Sequence, residues 1–188
     1  DDKRTLLNLA SLYAQTGNND KAAALLDTAR QKGMLTEQRD YENLYAIYLN
    51  MDGKEAEAAK VIQEGLEKGI LPADARTYTF LAQSLYFSDQ INPAVDAYKK
   101  AAPLDSTGET SLALSQILTN EDRNEEAKAA ARQALDKGLK KPGEAWMVIA
   151  RSEYYMDNYA AARQAYAEAA KDPATRDQAQ KALAQISR

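Results

Sequence analysis

Three arginines, Arg4, Arg39 and Arg76, recur along the first half of the chain at steps of 35 and 37 residues. Side chains repeated at near-constant spacing occupy one position of a structural repeat, so three guanidiniums should stand along one rim. Further on come two aromatic pairs, Tyr86 with Phe87 and Tyr154 with Tyr155. Arginine beside exposed aromatic rings is a composition favoured at protein interfaces. The competing reading pairs the arginines with neighbouring acids and packs the tyrosines between helices.

Covalent and metal chemistry find little support. The chain has no histidine and no cysteine. That removes imidazole acid–base catalysis, thiol nucleophiles, disulfides and zinc fingers. The acid pairs Asp1-Asp2 and Glu125-Glu126 read as solvated charge. "DRNEEAKAAARQ", from Asp122, spaces oxygen ligands alternately but lacks the central glycine and twelfth-position glutamate of a calcium loop. No glycine-rich phosphate cradle follows a strand. No catalytic residue, metal ligand or cofactor is expected, and the chain does not read as an enzyme.

The elements that position these residues are helical. Over 188 residues, 28% are charged and 45% apolar, with only 8 Gly and 5 Pro. This is a folding composition dominated by helix formers, without alternating β-branched runs. A net charge of −4 and a pI near 5.1 argue against nucleic acid as partner. No apolar run approaches a membrane span. The opening "DDKRTLL" carries neither Met nor a signal peptide, as a mature protein or an excised piece would.

A search for internal repetition aligns five copies, at about 3–36, 38–72, 75–105, 108–141 and 143–173, within a single domain spanning 1–188. Ala22, Ala58, Ala94, Ala127 and Ala162 stand early in the second helix of each copy, at steps of 36, 36, 33 and 35 residues. Seven residues later come Ala29, Gly65, Ala101, Ala134 and Ala169, all small. Leu26, Ile62, Tyr98, Ala131 and Tyr166 lie between, all apolar. In the first helices Leu9-Ala10 recurs as Leu44-Tyr45, Leu81-Ala82, Leu114-Ser115 and Ile149-Ala150. Small residues one heptad apart let two antiparallel helices approach, and the larger one fills the hole between them. A lone pair cannot bury both its faces, so successive pairs must stack. Trp146 sits at a packing position and is expected in the core. "KDPATRDQAQKALAQISR" departs from the repeat and reads as a capping helix over about 173–187, N-capped by Asp172 and started by Pro173. No matching N-terminal cap is visible, so further repeats are expected before residue 1.

These columns resemble the tetratricopeptide repeat (TPR). Copy one carries the pattern at Leu6, Leu9, Ala10, Tyr13, Gly17, Ala22, Leu26 and Ala29, and copy five at Trp146, Ile149, Ala150, Tyr159, Ala162, Tyr166 and Ala169. Copy five departs at Glu153, where Tyr or Leu is usual. The resemblance, over about residues 3–173, implies an all-α, right-handed superhelix of about five helix-turn-helix repeats plus a capping helix. It further implies a concave groove, lined by the first helices, that holds a protein or peptide. Transferred position by position, copy one lines it with Arg4, Leu7, Ser11, Ala14 and Gln15. Copy two supplies Arg39, Glu42, Asn43, Ala46, Leu49 and Asn50, and copy three Arg76, Thr79, Gln83, Tyr86 and Phe87. Copies four and five add Glu109, Leu112, Gln116, Thr119 and Asn120, then Glu144, Met147, Arg151, Tyr154 and Tyr155. A TPR subclass that clamps chaperone-tail carboxylates needs Lys and Asn where Leu7 and Ser11 stand, and Arg where Phe80 stands; that assignment is rejected.

Three copies end on Lys-Gly-apolar rather than proline. "AALLDTARQKGML", "AAKVIQEGLEKGIL" and the stretch from "ARQALDKGL" to "AEAAKD" are similar to periplasmic TPR proteins associated with the TonB, ExbB and ExbD energy-transduction systems of Gram-negative bacteria. That resemblance implies a non-catalytic periplasmic accessory that binds those components and assists iron uptake. Two alternatives stay open: a peptidoglycan- or polysaccharide-binding solenoid using Tyr86, Tyr154 and Tyr155 as stacking platforms, and a cytoplasmic chaperone or regulator. At each ending, Gly33, Gly69 and Gly138 are expected in left-handed backbone, with Met34, Ile70 and Leu139 folded back in Schellman fashion. Lys32, Lys68 and Lys137 should favour the negative helix ends.

Overall fold

Short polar residues start helices here by giving their side-chain oxygens to orphan amides. Asp2 accepts from the N–H of Arg4 at 3.3 Å, and Asp74 from that of Thr77 at 2.8 Å. In a computed structural model that describes residues 2–186, these signals open α1 (Lys3–Gln15) and α5 (Ala75–Phe87). The other helices are α2 (Asn19–Gln31), α3 (Gln38–Leu49), α4 (Glu55–Glu67), α6 (Ile91–Ala101), α7 (Glu109–Asn120), α8 (Asn124–Asp136), α9 (Gly143–Tyr155), α10 (Tyr159–Ala169) and α11 (Arg176–Ile186). A single 3-10 turn covers Ala102–Leu104, and no strand occurs among the described residues. The five helix pairs fall within the five sequence copies.

Two compact units, Asp1–Ala97 and Tyr98–Arg188, divide the chain within α6. In the first, α1 packs on α2, α2 on α3, α3 on α4 and α4 on α5. In the second, α7 packs on α8, α8 on α9, α9 on α10 and α10 on α11. The small columns lie in the core of both units. Ala22, Ala58, Ala94, Ala127 and Ala162 are all 0% exposed, and the second small column is buried throughout. Gly65 is required by contact rather than by backbone angle: a Cβ there would stand 2.6 Å from Leu71 and 3.0 Å from the Tyr41 ring.

The helix endings follow the expected device and extend it. Gly33 has φ 71°; its N–H reaches Arg30 O at 2.9 Å, and the Met34 N–H reaches Ala29 O at 2.9 Å. Gly69 repeats this through Leu66 O and Gly65 O. At Gly138 the inner bond, to Leu135 O at 2.9 Å, is formed, while Leu139 turns against Gly108. The turns inside the pairs use the same geometry five residues before each alanine of the first column. Gly17 and Gly53 hold it in copies one and two, and Asp89, Asp122 and Asp157 hold it at φ 63°, 57° and 62° in the others.

Several expectations need correction. Leu9, of the first-helix packing column, is 41% exposed, because no described helix packs over that side of α1. Trp146 is half-buried rather than core, as the size of an indole commonly leaves it. The last helix begins at Arg176, not Pro173. Asp172 spends its carboxylate on the N–H groups of Gly143 and Ala174, at 2.9 and 3.0 Å, so it caps no first turn of α11. Gly143 admits this turn, since a Cβ would meet Thr175 Oγ1 at 2.0 Å. Along α11 Ala179 is fully buried, while Ala182, Leu183 and Ile186 are half-buried. Residue 187 of the expected cap, and Asp1 of the first acid pair, lie outside the described residues.

Candidate interaction surfaces

In the first unit, α1 and α3 lie side by side over Leu26 and enclose a groove of about 590 Å³. Leu7, Ser11 and Ala14 form one wall; Arg39, Asn43, Ala46 and Asn50 form the other. Its mouth is braced by Lys3, whose ammonium reaches the Asp40 carboxylate at 2.8 Å. Asp40 is 5% exposed and also accepts from the N–H groups of Thr36 and Glu37, both at 3.1 Å. Burial alone would raise its pKa, but the Lys3 contact and the two amides outweigh burial and lower it. Nothing in the repeat pattern singled Asp40 out. Its place three residues after Glu37 is the capping-box spacing that could have done so.

Arg4, Arg39 and Arg76 are exposed, and none forms an ion pair among the described residues. The reading that pairs them with neighbouring acids therefore does not hold here. Arg76 lies over the Phe80 ring at 5.6 Å. Glu42 is half-buried and accepts from Gln38 Nε2 at 2.8 Å. Gln83 and Phe87 are exposed, Phe87 at 71%, whereas Tyr86 is half-buried edge-on to Phe87 at 5.7 Å.

In the second unit Tyr154 and Tyr155 are exposed, and Tyr154 makes edge contacts with both Tyr155 and Tyr159 at 5.8 and 5.4 Å. With Arg151 and Tyr166 they border a smaller depression of about 210 Å³, closed by α11. Gln116 and Asn120 are exposed on α7. Gln116 Nε2 donates to Glu144 at 2.9 Å, bridging α7 to α9. Because α7 and α9 touch directly, Leu112 and Met147, expected in the lining, are buried at 7% each.

Glu153, the departure from the repeat pattern, is also accounted for. It is buried at 5% and receives Lys128 Nζ from α8 at 3.2 Å and Asn158 Nδ2 at 2.9 Å. Burial pushes its pKa up, but Asn158 and Lys128 overcome that and leave it lowered. Ion pairs likewise join the first unit's second helices, where Arg30 binds Asp27 at 2.8 Å and reaches across to Glu64. Among the described residues no cluster of three acidic side chains could hold a metal ion, and no helix is long and apolar enough to cross a membrane.

Residues 3–29 match the family model described as tetratricopeptide repeat. Among solved structures the chain is similar to MamA, at 15% identity and a TM-score of 0.71, over 90% of each chain. It is also similar to YrrB, described as a TPR protein with an unusual peptide-binding site, at 18% identity and TM-score 0.72, over 96% of this chain and 91% of that one. A third likeness is to the C-terminal part of a TPR repeat-containing protein from Cytophaga hutchinsonii, at 15% identity and TM-score 0.65, over 88% of this chain and 64% of that one. No protein of curated function matches the sequence. The chain has the all-helical fold of tetratricopeptide-repeat proteins. Its first helix pair carries the repeat in sequence, and the remaining pairs share the architecture.

Proposed function

We propose that this chain is a non-catalytic interaction scaffold that holds a protein or peptide along the first helices of its leading unit. The observation that carries the reading is Arg39 on the wall of an open groove of about 590 Å³, with Arg4 and Arg76 exposed at the same repeat position and, like Arg39, without an ion pair among the described residues. Unneutralised guanidiniums beside an apolar floor suit a segment that supplies carboxylates and a few apolar side chains. The likeness to YrrB, described by its peptide-binding site, supports a peptide as the form of partner. A doubly charge-reversed protein, Arg39→Glu with Arg76→Glu, should keep its melting temperature and lose the partner that the unaltered chain retains. Undiminished retention would overturn the groove as the binding surface.

A periplasmic setting, as an accessory of a TonB-dependent uptake system, rests on the similarity of the three Lys-Gly-apolar repeat endings to that group. Crosslinking in the native envelope should then recover TonB-, ExbB- or ExbD-type components; recovery of none at native expression would count against it. The cluster of Tyr154, Tyr155 and Tyr159 favours a second reading, a glycan-binding surface. It requires that muropeptide binding disappear in a Tyr154→Ala, Tyr155→Ala protein.

A further inference from the structure

The second unit holds a further cavity, lined by other residues than the depression beside Tyr154 and Tyr155. About 650 Å³ opens between the end of α6, the 3-10 turn and the α7–α8 pair. Leu114 and Leu118 of α7 and Ala130 of α8 line it, with Ala102 and Pro103 opposite. Its origin can be read from the repeat. The fourth position of each copy holds Leu6, Tyr41, Tyr78, Ser111 and Trp146 in turn. Four copies place a large apolar or aromatic side chain there, and copy four places a serine. Ser111 lines the cavity, which therefore opens where the other copies seat a ring or a branched chain.

Two further facts bear on what would fill it. Ser111 is 1% exposed, and its Oγ has no hydrogen-bond partner. A buried hydroxyl left unpaired is costly, and a ligand that bonds to it recovers that cost. Two of the charged groups around the opening are, by contrast, already engaged, and the Asp136 carboxylate stands at its border. Glu126 receives Lys99 at 3.2 Å and Arg123 at 2.8 Å, and the Lys137 ammonium is held by the carbonyls of Ala102 and Asp105. The site thus offers an apolar floor, the room of a missing ring and an unmet hydrogen bond at Ser111, with one carboxylate, Asp136, at its border. Its volume lies within the range usual for small-molecule pockets.

We propose that this cavity binds a neutral, planar aromatic small molecule bearing one hydrogen-bonding substituent, of the phenol or indole class, with Ser111 as its polar contact. The proposal does not depend on the groove of the first unit. Phenol, indole and benzene serve as probes, titrated into the full chain with calorimetry and with NMR of the Ser111 and Leu114 signals. Phenol and indole should bind and shift both residues, and bind more tightly than benzene. Ser111→Tyr, which restores the side chain of copies two and three, should abolish binding; Ser111→Leu, after copy one, is the second variant should tyrosine not fold. Ser111→Ala should keep benzene binding and reduce the preference for phenol over benzene by roughly 2- to 10-fold, the worth of one hydrogen bond. Absence of binding by every probe, or binding that survives both filling variants, would overturn the site. An unchanged preference in Ser111→Ala would overturn Ser111 as the polar contact.

Discussion

Asp122 holds φ 57° at the turn between α7 and α8, a conformation glycine takes freely and other residues adopt at a cost. Gly17 and Gly53 occupy the same repeat position, so three of five copies carry an aspartate where glycine would do. Asp157 has a compensation, since its carboxylate accepts from the Tyr159 hydroxyl at 2.8 Å. Asp122→Gly should therefore raise stability by about 0.5 kcal/mol. Gly33→Ala should lower it by about 1 kcal/mol, wholly through the backbone, because an added Cβ there meets nothing within 4 Å. Chemical denaturation of the two variants checks both signs, and a stabilised Gly33→Ala would contradict the left-handed cap. The Lys-Gly ending was legible in sequence, because glycine after a basic last turn is a local signal. The aspartates were not, because aspartate is common in turns of every hand.

At the scale of elements, side chains that face a neighbouring helix decide how firmly the pairs join. Lys128 and Glu153 tie α8 to α9 through a buried charge pair. Lys128→Met leaves the carboxylate with Asn158 and a distant Arg132, and should cost about 2 kcal/mol. Adding Glu153→Leu restores the residue type usual at this position and should recover most of that loss. A double variant no more stable than the single would show that the pair does more than compensate its own burial. The start of α7 provides a second test. Burial would raise the Asp105 carboxyl, but the amides of Thr110 and Thr107 and the Thr107 hydroxyl bring it down to about 2. The folded value lies below the ordinary 3.8, so this stabilisation is complete above about pH 4 and is lost as pH falls through about 2. Asp105→Ala should be about 1 kcal/mol less stable at neutral pH. It should also show a shallower decline between pH 4 and pH 2, measured by unfolding at each pH; parallel declines would exclude Asp105 as their source.

For the whole molecule, a net charge of −4 sits beside three arginines of the first unit that form no ion pair among the described residues. Local rather than net charge governs contact with a partner, since charges a Debye length apart are largely screened. If the arginines carry the interaction, partner affinity should fall as salt rises from about 0.05 to 0.3 M. That dependence should flatten in the Arg39→Glu, Arg76→Glu protein, and salt-independent binding by the unaltered chain would place the energy in apolar contacts instead.

How much of this could be read from sequence follows from what kind of information each feature carries. The helices and the burial of the small columns were legible, because small residues at fixed spacing state both the helical period and a close contact. The sequence alone thus determined an all-helical TPR repeat without histidine or cysteine chemistry. Tertiary structure decided which charges remain unpaired, that Leu112 and Met147 are covered where α7 meets α9, and that Asp172 serves α9 rather than α11. It also decided that a serine at one repeat position leaves a cavity. Each of these depends on distances between segments far apart in the chain, and periodicity within one helix carries no such distance.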